Sequence, residues 1–170
     1  MKTKKIKLAV VSMLIACVLG ICGCSLGGAK YDFNIDTDHD FRGIDLGATS
    51  ATVKATETNT ISSETALGEQ TILQYKDVSV DGLNANIMYT IDASGKFASG
   101  SVYYSCEEKE LDAVYNALAD KCKELYGTTY LFSDAESIHW KVGDKMVCVL
   151  KTKSKVIYNV CTEENYYGNN

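Results

Sequence analysis

Ile87, Tyr89 and Ile91 recur at alternate positions and put large apolar groups on one face of a strand over 85–91. The stretch 71–80 has the same character. The segment Asp92-Ala93-Ser94-Gly95-Lys96 then reads as a hairpin turn leading into a third strand over 97–105. From there the period changes. Leu111, Val114, Leu118, Cys122 and Leu125 recur at helical spacing, Ser105-Cys106-Glu107-Glu108 has the form of a capping box, and Gly127 closes the helix. Strand patterns return over 128–132, 137–142, 145–151 and 155–161. Gly143-Asp144 forms a two-residue turn, which pairs Val142 with Lys145, Trp140 with Val147, His139 with Cys148 and Ile138 with Val149. Upstream, Thr49 or Ser50 caps a short helix over 51–57, and a Thr/Ser-rich stretch to Thr65 reads as a loop.

Each half is thus expected to be a helix followed by about three strands. The fold class is α+β: two helix-plus-three-strand repeats forming an antiparallel sheet with both helices packed on one face. The repeat is one of pattern, not of residue identity. The domain is expected over 41–162. A polar tail with Tyr166 and Tyr167 follows at 163–170, and a flexible polar spacer with an acidic end precedes it at 24–40.

The first residues set the address. Met1 to Lys7 carries four lysines and no acid, and an apolar run from Leu8 to Ile21 follows. That run has the length of a secretory core segment and is short for a membrane span. Ile21-Cys22-Gly23-Cys24-Ser25 then resembles the lipobox of bacterial lipoproteins, with Cys22 where Ala or Ser is more usual. The resemblance implies a signal peptide over 1–23, cleavage before Cys24 and a diacylglycerol on the Cys24 thiol. The partner so implied is the cell membrane, at its extracytoplasmic face. Several buried acyl chains make such an anchor firm.

Charge narrows the partners. Residues 1–23 hold four of the 17 basic residues and none of the 22 acidic ones, so the remainder carries 13 against 22, a net charge of −9. Arg42 is its one arginine. Nucleic acid and strong adhesion to anionic lipid both need clustered basic residues, which are lacking. Cys106, Cys122, Cys148 and Cys161 remain after the anchor region; they permit two disulfides in three connectivities, or four buried thiols. The four contain no CxxC.

The segment Phe41-Arg42-Gly43-Ile44-Asp45-Leu46-Gly47-Ala48-Thr49-Ser50-Ala51-Thr52-Val53 resembles a motif of uncharacterised lipoproteins of Gram-positive anaerobes, roughly Phe-Arg-Gly-Ile-Pro-Trp-Gly-x-Ser/Thr followed by a helix with Val and Glu. Phe41, Arg42, Gly43, Ile44, Gly47, Ser50, Val53 and Glu57 match; Asp45 and Leu46 depart from it. In layout the chain is also similar to small outer-membrane-assembly lipoproteins and to β-lactamase-inhibitor-like repeats. Those relatives bind proteins and are not enzymes, so the resemblance implies a binding role by fold-level analogy.

Candidate chemistry is sparse. Asn34 to Asp40 places acids at alternate positions, but neither register supplies the glycine and glutamate of a calcium loop, so a solvated linker is expected and no metal. His139 opposite Cys148 could be a base and nucleophile, with a core thiol beside a strand-edge histidine as the plainer reading. Arg42 is either a binding anchor or the partner of Asp40 or Asp45. Tyr75, Tyr89 and Tyr103 could line an open sheet face, or be core. No GxSxG, HExxH, Walker or GxGxxG motif occurs, and no cofactor is expected. The sequence therefore points to a non-enzymatic surface lipoprotein that binds an envelope or secreted protein, with a small-molecule or glycan binder as the alternative.

Overall fold

A computed structural model describes residues 31–168, so the signal segment, the lipobox and Cys24 lie outside the described residues. The fold is α+β, with one eight-stranded antiparallel sheet. In chain order come α1 (Ser50–Thr56), β1 (Ser63–Leu67), β2 (Gln70–Val80), β3 (Leu83–Ile91), β4 (Phe97–Ser105), a 3-10 turn (Glu108–Glu110), α2 (Leu111–Tyr126), β5 (Phe132–Ser133), β6 (Ser137–Val142), β7 (Lys145–Lys151), β8 (Lys155–Thr162) and α3 (Glu163–Tyr167). The strands lie in the order β1-β2-β3-β4-β8-β7-β6-β5, so two meanders meet where β4 pairs with β8. The expected hairpin register holds: Trp140 opposes Val147, His139 opposes Cys148 and Ile138 opposes Val149.

Several expectations differ from the structure, each for a physical reason. The sheet has eight strands where about three per half were expected. One addition is β1, in the Thr/Ser-rich stretch, where the ladder to β2 overrides weak local patterning. The helix α2 starts at Leu111, not at the Ser105 capping box. Ser105 is instead held in β4, where it opposes Asn84 on one side and Lys155 on the other. The expected spacer is packed from Tyr31 onwards: Phe33 is buried and its ring meets Tyr104 edge-on at 5.2 Å. The expected polar tail forms α3, capped by Thr162 Oγ1, which accepts from Asn165 N at 3.2 Å.

Alternation gives the sheet two unlike faces. One row across it reads Leu73, Tyr89, Gly100, Val160, Val147, Trp140, and the next reads Tyr75, Ile87, Val102, Tyr158, Val149, Ile138. Every side chain in these rows is buried, and together they form the core. The helix α2 covers the β6–β8 end of this face with Leu111, Val114, Tyr115, Leu118, Ala119 and Cys122. The β2–β4 end is covered by Val53 of α1 and by the segment around Phe41.

That segment explains the Phe-Arg-Gly-Ile motif. Phe41 and Ile44 oppose each other, with Phe41 N donating to Ile44 O at 2.9 Å and Ile44 N to Phe41 O at 3.0 Å. Arg42 and Gly43 between them have φ of 51° and 77°, the positive pair that a primed two-residue turn needs. The turn drives Phe41 onto Gly100, where a Cβ would overlap the Phe41 ring. Phe41 then meets Tyr89 edge-on at 5.4 Å and lies parallel to Tyr158 at 6.2 Å.

Candidate functional site

Arg42 is not paired with Asp40 or Asp45. Its Nε donates to Glu57 Oε2 at 3.1 Å and a terminal nitrogen donates to Oε1 at 3.4 Å. Glu57 also accepts from Tyr89 Oη at 2.7 Å, from Asn59 Nδ2 at 2.6 Å and from Asn59 N at 3.2 Å. Burial pushes the Glu57 carboxyl up, but the hydrogen bonds from Arg42 and Tyr89 and the guanidinium charge outweigh it and hold the group below its ordinary range. The same carboxylate, with burial the larger cause, pushes the Tyr89 phenol far above its usual value. Asp40 instead accepts from Lys145 Nζ at 2.8 Å and from Leu46 N at 2.9 Å, and Asp45 meets His39 Nδ1 at 3.2 Å. The network locks the Phe41 turn to the end of α1, so Arg42 and Tyr89 are committed to structure.

The tyrosine face expected from the sequence is therefore corrected. Tyr75 and Tyr89 are 2% and 0% exposed and belong to the core. Tyr103 lies on the other face, one residue out of phase with buried Val102 and Tyr104, and is half-buried there. Counting the β2–β3–β4 ladder settles this: Tyr75 faces Ile87 and then Val102, whereas Tyr103 opposes Asn86.

The remaining candidates resolve as local structure. Asp36 Oδ1 accepts from Asp38 N at 2.9 Å and His39 N at 3.2 Å, and its Oδ2 from Gly43 N at 2.8 Å, so this acid shapes the entry to the turn. Among the described residues no cluster of three or more His, Cys, Asp or Glu could hold a metal ion. Cys106, Cys122, Cys148 and Cys161 are free thiols. Burial pushes the Cys148 thiol up to about 12, and His139 turns Nδ1 to Tyr166 Oη at 2.6 Å, so no activated Cys–His pair is formed. Among the described residues no helix is long and apolar enough to cross a membrane.

Among the clefts of the described residues, two gather side chains from several elements. One, about 340 Å³, lies between the entry segment and the sheet and is lined by Asp36, Asp40, Arg42, Asp81, Tyr104 and Tyr158 among others. Its polar groups are already engaged: Asp81 accepts from Tyr104 Oη at 2.9 Å and from Asn34 N at 3.2 Å, Tyr158 Oη meets Tyr126 Oη at 3.4 Å, and Asp36, Asp40 and Arg42 are bonded as above. The second, about 380 Å³, lies between the β3–β4 turn and α3. There Asp92 accepts from Ser94 N, Ser94 Oγ and Lys96 N at 2.7 to 2.9 Å. Both are lined largely by polar and charged residues, without the predominantly apolar wall that a ligand pocket shows.

What remains is the face opposite the core. A single row crosses all eight strands as Ser63, Gln74, Met88, Ser101, Asn159, Cys148, His139 and Phe132. The next row adds Asn86, Tyr103, Ile157, Leu150 and Ser137. Among the described elements only α3 packs here, over β7 and β8, where Met146, Cys148 and Cys161 are buried. It is tied down by the Tyr166–His139 bond and by Lys141 Nζ, which donates to both Glu163 carboxylate oxygens at 2.8 Å. Towards β2–β4, Ile72, Gln74, Met88, Asn86 and Tyr103 are half-exposed. Asn159 Nδ2 ties β8 to β4 at the centre by donating to Ser99 Oγ, Ser101 Oγ and Gly100 O at 2.9 to 3.1 Å. The sequence carries a signal for this face in the Ser, Asn and Gln at alternate strand positions, whereas Tyr75 and Tyr89 lie in the opposite phase. Comparison with protein-family models, with curated proteins and with solved structures finds no match.

Proposed function

We propose that this protein is a lipoprotein anchored through Cys24 at the extracytoplasmic face of the membrane, acting as a non-enzymatic protein-binding module of the cell envelope. The binding surface is the sheet face opposite α1 and α2, centred on half-exposed Met88, Tyr103, Ile157 and Asn159. The observation that carries this reading is a face eight strands wide whose β2–β4 half bears none of the described helices. Its tyrosine, serines, amides and scattered apolar groups are the mixture that adaptable protein-binding surfaces use. The strands beneath are braced by the Asn159 hydrogen bonds, so docking has little ordering to offset. The paired arrangement of a helix before each run of strands belongs to the same proposal, as two halves that join at β4 and β8 to build one wide surface.

The test is affinity capture. The full chain in detergent micelles is immobilised and exposed to envelope extract and culture medium of its own host, and bound proteins are read by mass spectrometry. Tyr103→Ala with Ile157→Ala is the control. One protein enriched by the parent and lost with the control is expected. Identical sets from both, or no enriched protein, would overturn the reading.

A further inference from the structure

The sheet ends in β1 on one side and β5 on the other, and the two edges are finished differently. An edge strand carries unpaired N–H and C=O groups, and monomeric proteins blunt it with lysine, proline, a bulge or a very short strand. The β5 edge is blunted in this way. It has two residues, and Asp134 then turns the chain by accepting from Glu136 N and Ser137 N at 2.8 and 2.7 Å. The β1 edge has none of these devices within its length. Ser63-Glu64-Thr65-Ala66-Leu67 runs for five residues without lysine or proline, pairs with β2 in unbroken register, and is exposed from Glu64 to Leu67. Its one charge, Glu64, is drawn to the helix side, where Lys54 Nζ donates to it at 2.7 Å.

The turn after β1 fixes which backbone groups point outward. Gly68 and Glu69 join Leu67 to Gln70 as a two-residue turn, with Gly68 at φ of 60°, so Leu67 and Gln70 are a hydrogen-bonded pair. Alternation from there gives the N–H and C=O groups of Ser63, Thr65 and Leu67 to β2 and turns those of Glu64 and Ala66 away from the sheet. Among the described residues no backbone group bonds to these outward groups. They stand symmetrically on either side of Thr65, so the edge reads the same in both chain directions. A second β1 laid antiparallel, with Thr65 facing Thr65, would set Glu64 against Ala66 twice. Both outward N–H groups and both outward C=O groups of each copy would then be paired. No charge meets its like in that register. A two-fold axis at Glu64 would set the carboxylates against each other, and one at Ala66 would run Glu64 into the turn at Gly68. The Thr65 pair would be of the non-hydrogen-bonded kind, in which side chains lie closest and threonine hydroxyls can bond each other. Leu67, 66% exposed, would gain Ser63 of the second copy as its neighbour.

We infer that β1 is a self-association edge, and that its partner is the β1 of a second copy of this chain, antiparallel about a two-fold axis at Thr65. The contact joins the two eight-stranded sheets edge to edge and makes their open faces continuous, because Thr65 lies in one row with Ile72, Thr90 and Ser99 on that face. It is independent of what the open face binds. Backbone pairing over so short a strand is a weak contact, so the dimer forms at high local density. The chain carries a net charge of −5, so the copies repel at long range and added salt strengthens the pairing.

Thr65→Cys tests the register. The full chain is reconstituted at high density in phosphatidylcholine vesicles and oxidised with copper phenanthroline, and peptide mapping assigns each link. A disulfide between the two introduced cysteines is expected, and Glu64→Cys should give about tenfold less, because its own copy lies diagonally across the pair. Adding Ala66→Pro to Thr65→Cys removes an outward N–H that β2 does not use. The link should fall about tenfold, while urea unfolding followed by Trp140 fluorescence stays within error of the parent. A charge swap needs no change of backbone. In sedimentation of the full chain in density-matched micelles, Thr65→Lys should be monomeric, and an equal mixture of Thr65→Lys with Thr65→Glu should recover the dimer. Equal links from Thr65→Cys and Glu64→Cys, a link that survives Ala66→Pro, or a Lys/Glu mixture no more dimeric than Thr65→Lys alone would overturn the inference. So would a monomer at every density and salt concentration, which would leave the edge to the chain's own residues before Tyr31 or to a strand of another protein.

Discussion

Replacing Arg42 by alanine tests whether the motif residue is structural. The Glu57 side chain is 2% exposed and that of Arg42 29%, so the substitution leaves a carboxylate in the interior with its neutral donors, Tyr89 and Asn59, and no counter-charge. Breaking a buried pair from one side costs about 3–5 kcal/mol, and the partial exposure of Arg42 places the expected loss at the low end, about 3 kcal/mol. The backbone gives an internal control. Position 42 has φ of 51°, which an L-residue adopts at a cost of about 1 kcal/mol, so Arg42→Gly should be about 1 kcal/mol more stable than Arg42→Ala despite losing the same ion pair. Glu57→Gln keeps the shape and removes the charge, and with Arg42→Ala it completes a cycle whose coupling should be about 2 kcal/mol. The assay is urea unfolding followed by the fluorescence of Trp140, the one tryptophan of the chain, which is buried. Glu57 has its folded pKa below its unfolded one, so its contribution is complete above the ordinary carboxylate range and is lost as pH falls through the lower folded value. Glu57→Gln should remove that part of the acid destabilisation. A loss below about 0.5 kcal/mol in Arg42→Ala, or no coupling in the cycle, would equate this network with an exposed ion pair and refute the argument.

The close seat of Phe41 makes Gly100→Ala costly, because the new methyl would overlap the ring; a loss of about 2–3 kcal/mol in the same urea assay is expected. The cap formed by α3 should be pH-sensitive. Burial lowers the pKa of His139, opposed by Asp134; its Nδ1 is bonded to Tyr166 and its Nε2 is buried without a partner. With the folded pKa lowered, the stability contributed by the neutral ring is present above the ordinary histidine value and is lost as pH falls below it. Faster amide exchange in β7 and α3 below that pH, absent in His139→Gln, is the expected result. Thiol accessibility should follow burial, with half-exposed Cys106 alkylated by iodoacetamide before buried Cys122, Cys148 and Cys161. Peptide mapping by mass spectrometry reads the order, and early modification of Cys148 would imply that α3 does not hold its seat.

The sequence alone determined the local features: the 3.6-residue period of α2, the turn at Gly143-Asp144 and, through strict alternation, the whole β6–β7 register down to His139 opposite Cys148. These depend on contacts between near neighbours in the chain, so a window of a few residues contains their causes. The tertiary structure decided what depends on distant partners. Whether 63–67 is a strand was decided by the free edge of β2, and whether Ser105 caps a helix by β3 and β8 on either side of it. Arg42 found Glu57 in place of its acidic neighbours because the Phe41 turn points it at the end of α1. The phase of the tyrosines was the costliest point: a strand pattern shows that Tyr75, Tyr89 and Tyr103 alternate with other residues, but only the ladder says which share a side and which side the helices cover. Two of the three became core and the third stayed on the surface, because α1, α2 and the Phe41 turn bury the phase of Tyr75 and Tyr89 while, among the described helices, only the five-residue α3 reaches the other.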